Sequence, residues 1–210
     1  SVDHVTSIED VPLHESDWLI LARTNDKLIK LKSILKEMAI YFEIKDRKSY
    51  KTRLYTAVKH YTRWTKGDKL SLSECKDLFE YLELDQELKE ERMYDLQEFG
   101  YKTTDEWYEV FKSDPEECLY IREMLRSGEK LDNPARVKLS TIHAAKGGEA
   151  TNVLIILDNT KKIREAIDKS EDKQDEEHRV WYVGVTRTKQ NLYIMTAKQE
   201  DRGYDIESIT

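Results

Sequence analysis

The chain has 210 residues, enough for one large α/β domain or a domain carrying an insertion, with 39% hydrophobic and 37% charged residues and a net charge of −7. No apolar run approaches the roughly 18 residues of a membrane span, and no secretory signal precedes the first strand, so a soluble, cytoplasmic protein with no membrane partner is expected. Cys75 and Cys118 are distant from each other and have no Cys or His at metal-ligand spacing, which excludes a zinc site and points to reduced core thiols.

Residues 1–16 are polar, contain a proline and read as a lead-in or linker; Ser1 in place of Met fits a processed terminus or a piece of something longer. Trp18 to Ala22 is a continuous apolar run of the buried-strand kind, stopped by Arg23-Thr24-Asn25-Asp26. Thr24 or Asn25 can cap the next helix, whose Leu28, Leu31, Leu35 and Met38 recur at three- and four-residue spacing. Ile40 to Ile44 reads as a second strand, completing a strand–helix–strand unit of a parallel sheet. Arg23 then stands at the carboxyl end of a buried strand; taken alone it reads as a surface arginine.

From Ser49 the pattern turns helical. Tyr50, Leu54, Ala57, Val58, Tyr61 and Trp64 share one face, and Gly67 breaks the helix. Ser71-Leu72-Ser73-Glu74 is a capping box, a helix is expected over 84–99, and Thr103 with Glu106 offers another box before Trp107. Asp114-Pro115-Glu116-Glu117 opens a helix that closes at Gly128. About 85 helical residues thus interrupt the α/β pattern, as an inserted subdomain does.

Charge is unevenly spread. Residues 45–69 hold nine Lys/Arg against two acids, whereas 70–133 hold eight against nineteen. The basic stretch reads first as a helix with an aromatic core face and solvated cations. Its functional reading is contact of Lys51, Arg53 and Lys59 with nucleic-acid phosphates.

The strand pattern returns at Arg136. Val137, Leu139 and Ile142 lead into a turn that gathers Thr141, His143, Lys146, Gly147, Gly148 and Glu149. Loops at the ends of buried parallel strands are where α/β proteins place ligand chemistry. Val153 to Leu157 is a further strand, residues 160–178 are mostly charged helix or loop, and Leu192 to Ala197 is a last strand. Between them, Glu177, Arg179 and Arg187 form a second polar site.

Three segments, W-L-I-L-A-R-T-N, S-T-I-H-A-A-K-G-G-E and E-E-H-R-V-W-Y-V-G-V-T-R, resemble in order motifs IV, V and VI of the UvrD/Rep/PcrA-like DNA helicases of superfamily 1. The resemblance covers residues 17–48 and 134–197; the helical middle matches by position, where that family inserts its 2B subdomain, and is much shorter here. It implies a RecA-like parallel sheet with helices on both faces, interrupted by an all-helical insertion. The domains would be a motor domain (17–48 and 134–210) and a reduced 2B-like insertion (49–133).

The resemblance also implies roles. Arg23 and Arg187 would reach the γ-phosphate of ATP, Gly147 and Glu149 would meet the nucleotide, and Thr141 and His143 would lie along single-stranded DNA. Departures accompany it. Gly148 and Ala150 stand where the family has leucine and an aromatic, K-D-R-K-S-Y lacks the family's glycine-rich piece, and Tyr204 is the candidate for a DNA-stacking aromatic.

No G-x-x-x-x-G-K-[ST] phosphate loop occurs in these residues. Asp175-Glu176-Glu177-His178 mimics an acidic metal-binding motif, but what precedes it is not a buried strand, so it reads as the start of motif VI. Alone, the chain is expected not to hydrolyse ATP. Its partner would be an amino-terminal RecA-like domain of the same protein, carrying the Walker loop and the Mg2+ ligands. The rival expectation is a non-catalytic, helicase-derived module that binds DNA or protein.

Overall fold

The computed structural model describes residues 1–82, 88–145 and 147–196; Lys146, Tyr204 and the first part of the expected helix over 84–99 lie outside them. The chain forms two compact units, Ser1–Ser49 with Glu129–Thr210, and Tyr50–Gly128.

The first unit is a seven-stranded sheet. Its strands are β1 (Val2–Val5), β2 (Trp18–Ala22), β3 (Phe42–Ile44), β4 (Arg47–Lys48), β5 (Val137–Thr141), β6 (Ala150–Leu157) and β7 (Thr188–Thr196), in the order β1-β7-β6-β2-β5-β3-β4. Every pairing is parallel except β3 with β4. Successive side chains of a strand point to opposite faces. Trp18, Ile20 and Ala22 therefore pack on one side, with Leu28, Leu31 and Leu35 of helix α1 (Asn25–Glu37). Leu19 and Leu21 pack on the other, with Trp181 of helix α7 (Glu171–Val185). All five residues of β2 are buried, which is why it reads as an unbroken apolar run. A shorter helix, α6 (Lys161–Ile167), precedes α7.

The lead-in expected over 1–16 is part of this fold. β1 pairs in parallel with β7, and Ile8, Val11 and Leu13 are buried in the α1-side core. An edge strand held by backbone hydrogen bonds, followed by a single 3-10 turn, leaves no side-chain periodicity to detect. The second expected strand starts two residues late, at Phe42, because Ala39 (φ 54°) and the Ile40 N–H, which donates to the Leu35 carbonyl at 2.9 Å, still close α1; after Ile44 the chain turns back as the β3–β4 hairpin. Lys45 and Asp46 occupy that turn with φ of 50° and 59°, a left-handed pair normally given to Asn and Gly. β6 begins three residues before Val153, and β7 four before Leu192.

The second unit is built from α2 (Thr52–Thr65), α3 (Leu72–Phe79), α4 (Trp107–Val110) and α5 (Pro115–Arg126). The expected apolar face of α2 is buried throughout, and Tyr61 meets Phe111 edge-on at 5.4 Å. The Ser71–Glu74 capping box forms, and Asp114 accepts from the Glu116 N–H at 3.0 Å. The helix over 84–99 is corrected: its described part holds only a 3-10 turn, Leu96–Phe99, ended by Gly100 at φ 90°. The Thr103–Glu106 box is absent too. Glu106 itself precedes α4, without a side-chain cap. Both thiols are free and buried, and burial pushes Cys75 up to about 11. No described helix is long and apolar enough to cross a membrane.

Candidate functional site

The carboxyl ends of β2 and β5 lie side by side, with Ala22 paired to Thr141 and the Ile142 N–H donating to the Ala22 carbonyl at 3.1 Å. Arg23 therefore leaves the sheet next to the turn that carries His143. Its guanidinium is held by Glu177 through two bonds, Nε to Oε1 at 2.7 Å and Nη2 to Oε2 at 2.9 Å. Its Nη1 lies 3.3 Å from His143 Nδ1. A guanidinium can only donate, so this contact makes Nδ1 an acceptor and places the imidazole proton on Nε2. Glu177 is 4% exposed, a buried carboxylate paired in the two-pronged geometry that arginine favours.

One residue from each of the three motif segments, Arg23, His143 and Glu177, thus meets in a single cluster. It lines a cavity of about 450 Å³ whose other walls come from α6 and α7, including Ile163, Ile167, Lys173 and Arg179. Lys173 and Glu176, one turn apart on α7, pair at 2.6 Å, and that hydrogen bond holds the Glu176 carboxyl below its usual range.

Thr141 is half-buried, and its hydroxyl accepts the Ala144 N–H at 3.3 Å, which fixes the turn after β5. Among the described residues nothing accepts its hydroxyl proton.

Glu149 and Arg187 stand at the other end of the strands, where Ala150 of β6 pairs with Thr188 of β7 and donates to the Arg187 carbonyl. Glu149 is exposed and, among the described residues, has a loose contact with Lys189, 3.9 Å. Gly147 has φ 81°, a left-handed conformation that a Cβ would strain. The Arg187 side chain folds back over the last turn of α7, donating from Nε to the Val183 carbonyl at 3.1 Å. Arg23 and Arg187 are therefore not brought into contact. They flank α7, with Glu177 clasping the first and ten residues, roughly 15 Å of helix, leading to the second.

Lys51, Arg53 and Lys59 belong to the helical unit and are exposed. Lys51 caps α2 and gives its backbone N–H to Glu117 at 2.7 Å, while Lys59 lies 5.1 Å from the Tyr55 ring centre.

Two features escape a reading by motif alone. Glu177 as the partner of Arg23 was signalled by an acid on the buried i, i+4, i+7 stripe of α7, Glu177, Trp181 and Gly184. Gly184 lies on the sheet-facing side of α7, where a Cβ would meet Ile155 Cδ1 at 3.4 Å and Ile142 Cδ1 at 3.6 Å, ordinary contacts that leave room for a methyl but not for a larger side chain.

A mostly parallel sheet covered on both faces, with its polar chemistry on strand-end loops and one long helix, is a RecA-like α/β domain. Residues 48–199 match the UvrD-like helicase C-terminal domain family. The ATP-dependent DNA helicase Rep of Escherichia coli (strain K12) is 33% identical over 79 residues, a match spanning 38% of this chain and 12% of Rep. The chain belongs to the UvrD-like helicase C-terminal domain family.

Proposed function

We propose that this chain is the second motor half of an ATP-dependent DNA helicase or translocase, with the helical unit as a reduced 2B-like insertion. Arg23 and Arg187 would act on the γ-phosphate of an ATP whose phosphate loop and Mg2+ ligands lie in a partner RecA-like domain of the same protein. Gly147 and Glu149 would meet the nucleotide, and Thr141 and His143 single-stranded DNA. Family membership and the Rep similarity support the class. The observation that carries the mechanism is the Arg23–Glu177–His143 cluster, which ties the arginine assigned to ATP to the histidine assigned to DNA.

Phosphoryl transfer spreads charge over the γ-phosphoryl oxygens, and positioned cations stabilise it. Arg23 has five N–H donors; two bind Glu177 and one faces His143, leaving two for a phosphate. Glu177 fixes the plane of that guanidinium, so little side-chain entropy remains to be lost when the phosphate arrives. Arg187 would release the Val183 carbonyl to reach the same anion, a rearrangement at the end of α7 that would accompany closure on ATP. His143 offers Nε2–H to a DNA phosphate while Nδ1 stays on Arg23, so occupancy of one ligand is felt at the other through a single hydrogen bond. Glu149, with its loose lysine contact, can accept a sugar hydroxyl.

The test is DNA-stimulated ATP hydrolysis by the full-length protein carrying His143→Ala. Loss of stimulation with basal hydrolysis retained supports the reading; stimulation equal to that of the parent contradicts it.

A further inference from the structure

The turn that carries Arg23 leaves β2 between two helices, and side-chain alternation sends its residues to opposite faces of the sheet. Leu19 and Leu21 face α7, and Arg23 continues that series to its pairing with Glu177. Trp18, Ile20 and Ala22 face α1, and Thr24, still extended at φ −136° and ψ 159°, continues the other. β6 lies beside β2 with Ile156 opposite Ala22, so Asp158 emerges at the same sheet edge on the α1 side. There it meets Lys27 of α1, whose ammonium bonds Asp158 Oδ2; the two side chains are 15% and 19% exposed.

Lys27 is an unfavoured residue for its position. It is the third residue of α1, where the helix dipole favours acids and opposes a cation. The usual local device for fixing a helix start is missing as well. Thr24 stands at the N-cap, yet its hydroxyl accepts no backbone N–H and is buried without a partner. Asp158 Oδ1 is also buried without a partner, so among the described residues Lys27 is what balances this carboxylate. The start of α1 is held by a salt bridge to β6 in place of its own cap, and a local rule broken in this way marks a place where position matters.

We infer that the Lys27–Asp158 pair is a positioning device for Arg23. Two ion pairs, one on each face of the sheet, clamp the turn from Arg23 to Lys27. Arg23–Glu177 fixes the guanidinium from the α7 side, and Lys27–Asp158 fixes the backbone that bears it from the α1 side. Glu177 sets the plane of the guanidinium; the distance it reaches beyond the sheet edge is set by the backbone. A misplacement of about 1 Å in a group that acts on a transition state costs about 10²-fold in rate. Lys27 and Asp158 act through Arg23 rather than on the phosphate, and their effect on turnover rests on the proposed role of Arg23.

The test uses the full-length protein with the neutral pair Lys27→Gln/Asp158→Asn, which leaves no orphaned charge, and with Lys27→Arg. Two quantities are read: DNA-stimulated ATP turnover resolved into kcat and KM, and backbone hydrogen exchange of residues 22–30 by mass spectrometry. The neutral pair is expected to lower kcat by about 10- to 100-fold while KM for ATP stays within about threefold of the parent. It is also expected to speed exchange in that segment and leave α7 unchanged. Lys27→Arg keeps the pairing charge and is expected to behave as the parent. In an Arg23→Ala background the neutral pair is expected to cost nothing further in kcat, because the group it positions is gone. With Arg23→Ala itself impaired, three results each overturn the inference: unaltered exchange or kcat in the neutral pair, a loss in Lys27→Arg equal to that of the neutral pair, or a full further loss on top of Arg23→Ala. Parent turnover in Arg23→Ala refutes the γ-phosphate role of Arg23 instead, and hydrogen exchange in the neutral pair then decides the positioning role.

Discussion

Breaking the Arg23–Glu177 pair should have unequal consequences depending on which partner is removed. Glu177 is buried, with 5% of its side chain exposed, while the Arg23 side chain keeps 18%. Removing one member of a fully buried pair costs about 3–5 kcal/mol, because the survivor is left charged and unpaired. Arg23→Ala strands the carboxylate in that environment, so a loss of about 3–4 kcal/mol is expected. Glu177→Ala strands a guanidinium that can still reach water and His143, so about 2 kcal/mol is expected. The apolar double variant Arg23→Met/Glu177→Leu leaves no orphaned charge and should recover most of the loss. Urea denaturation at neutral pH followed by far-UV circular dichroism measures each value. Equal destabilisation by the two single variants, or a double variant whose loss is the sum of theirs, would refute the burial argument.

Other consequences are more local. Ser71→Ala should cost about 1 kcal/mol by removing the hydroxyl that accepts the Glu74 N–H. The Ser71 backbone N–H, opposed by burial and reinforced by Arg63, holds the Glu74 carboxyl below its usual range. A carboxyl depressed on folding stabilises above its unfolded pKa, so thermal melts should show this contribution disappearing as pH falls through and below the carboxylate range. Gly184→Ala should be nearly neutral in melting temperature, since its Cβ meets Ile155 at 3.4 Å and gains helix propensity, whereas Gly184→Val should lose about 1–3 kcal/mol by overpacking. Lys45→Asn/Asp46→Gly should raise stability by about 1 kcal/mol in chemical denaturation, by placing residues that tolerate the left-handed region in the hairpin turn.

The parts of the fold legible in sequence are those whose side chains repeat with a clear period. β2 and β6 are buried on both faces and read as apolar runs; α2 keeps its aromatic stripe; the Ser71 box and the Asp114-Pro115 start specify their own helices. What escaped is held by backbone alone or by distant partners. β1 is an edge strand with exposed side chains, paired to a strand nearly the whole chain away. The Leu96–Phe99 turn follows a run of acids with no sustained apolar face. At the site, motif order placed Arg23 and His143 on neighbouring loops, but their contact depends on the register Ala22 to Thr141, which no local pattern encodes. Glu177 was visible as a second-site residue, yet its pairing with Arg23 spans 154 positions and required the fold.

The central claim, that this chain supplies catalytic arginines to a nucleotide held by a partner domain, is tested most directly by single-turnover ATP hydrolysis with the full-length protein on single-stranded DNA. Arg187→Ala should lower the hydrolysis rate by about 10³-fold or more while nucleotide affinity changes little, as for an arginine that acts on transition-state charge. Hydrolysis by Arg187→Ala at the parent rate would contradict it.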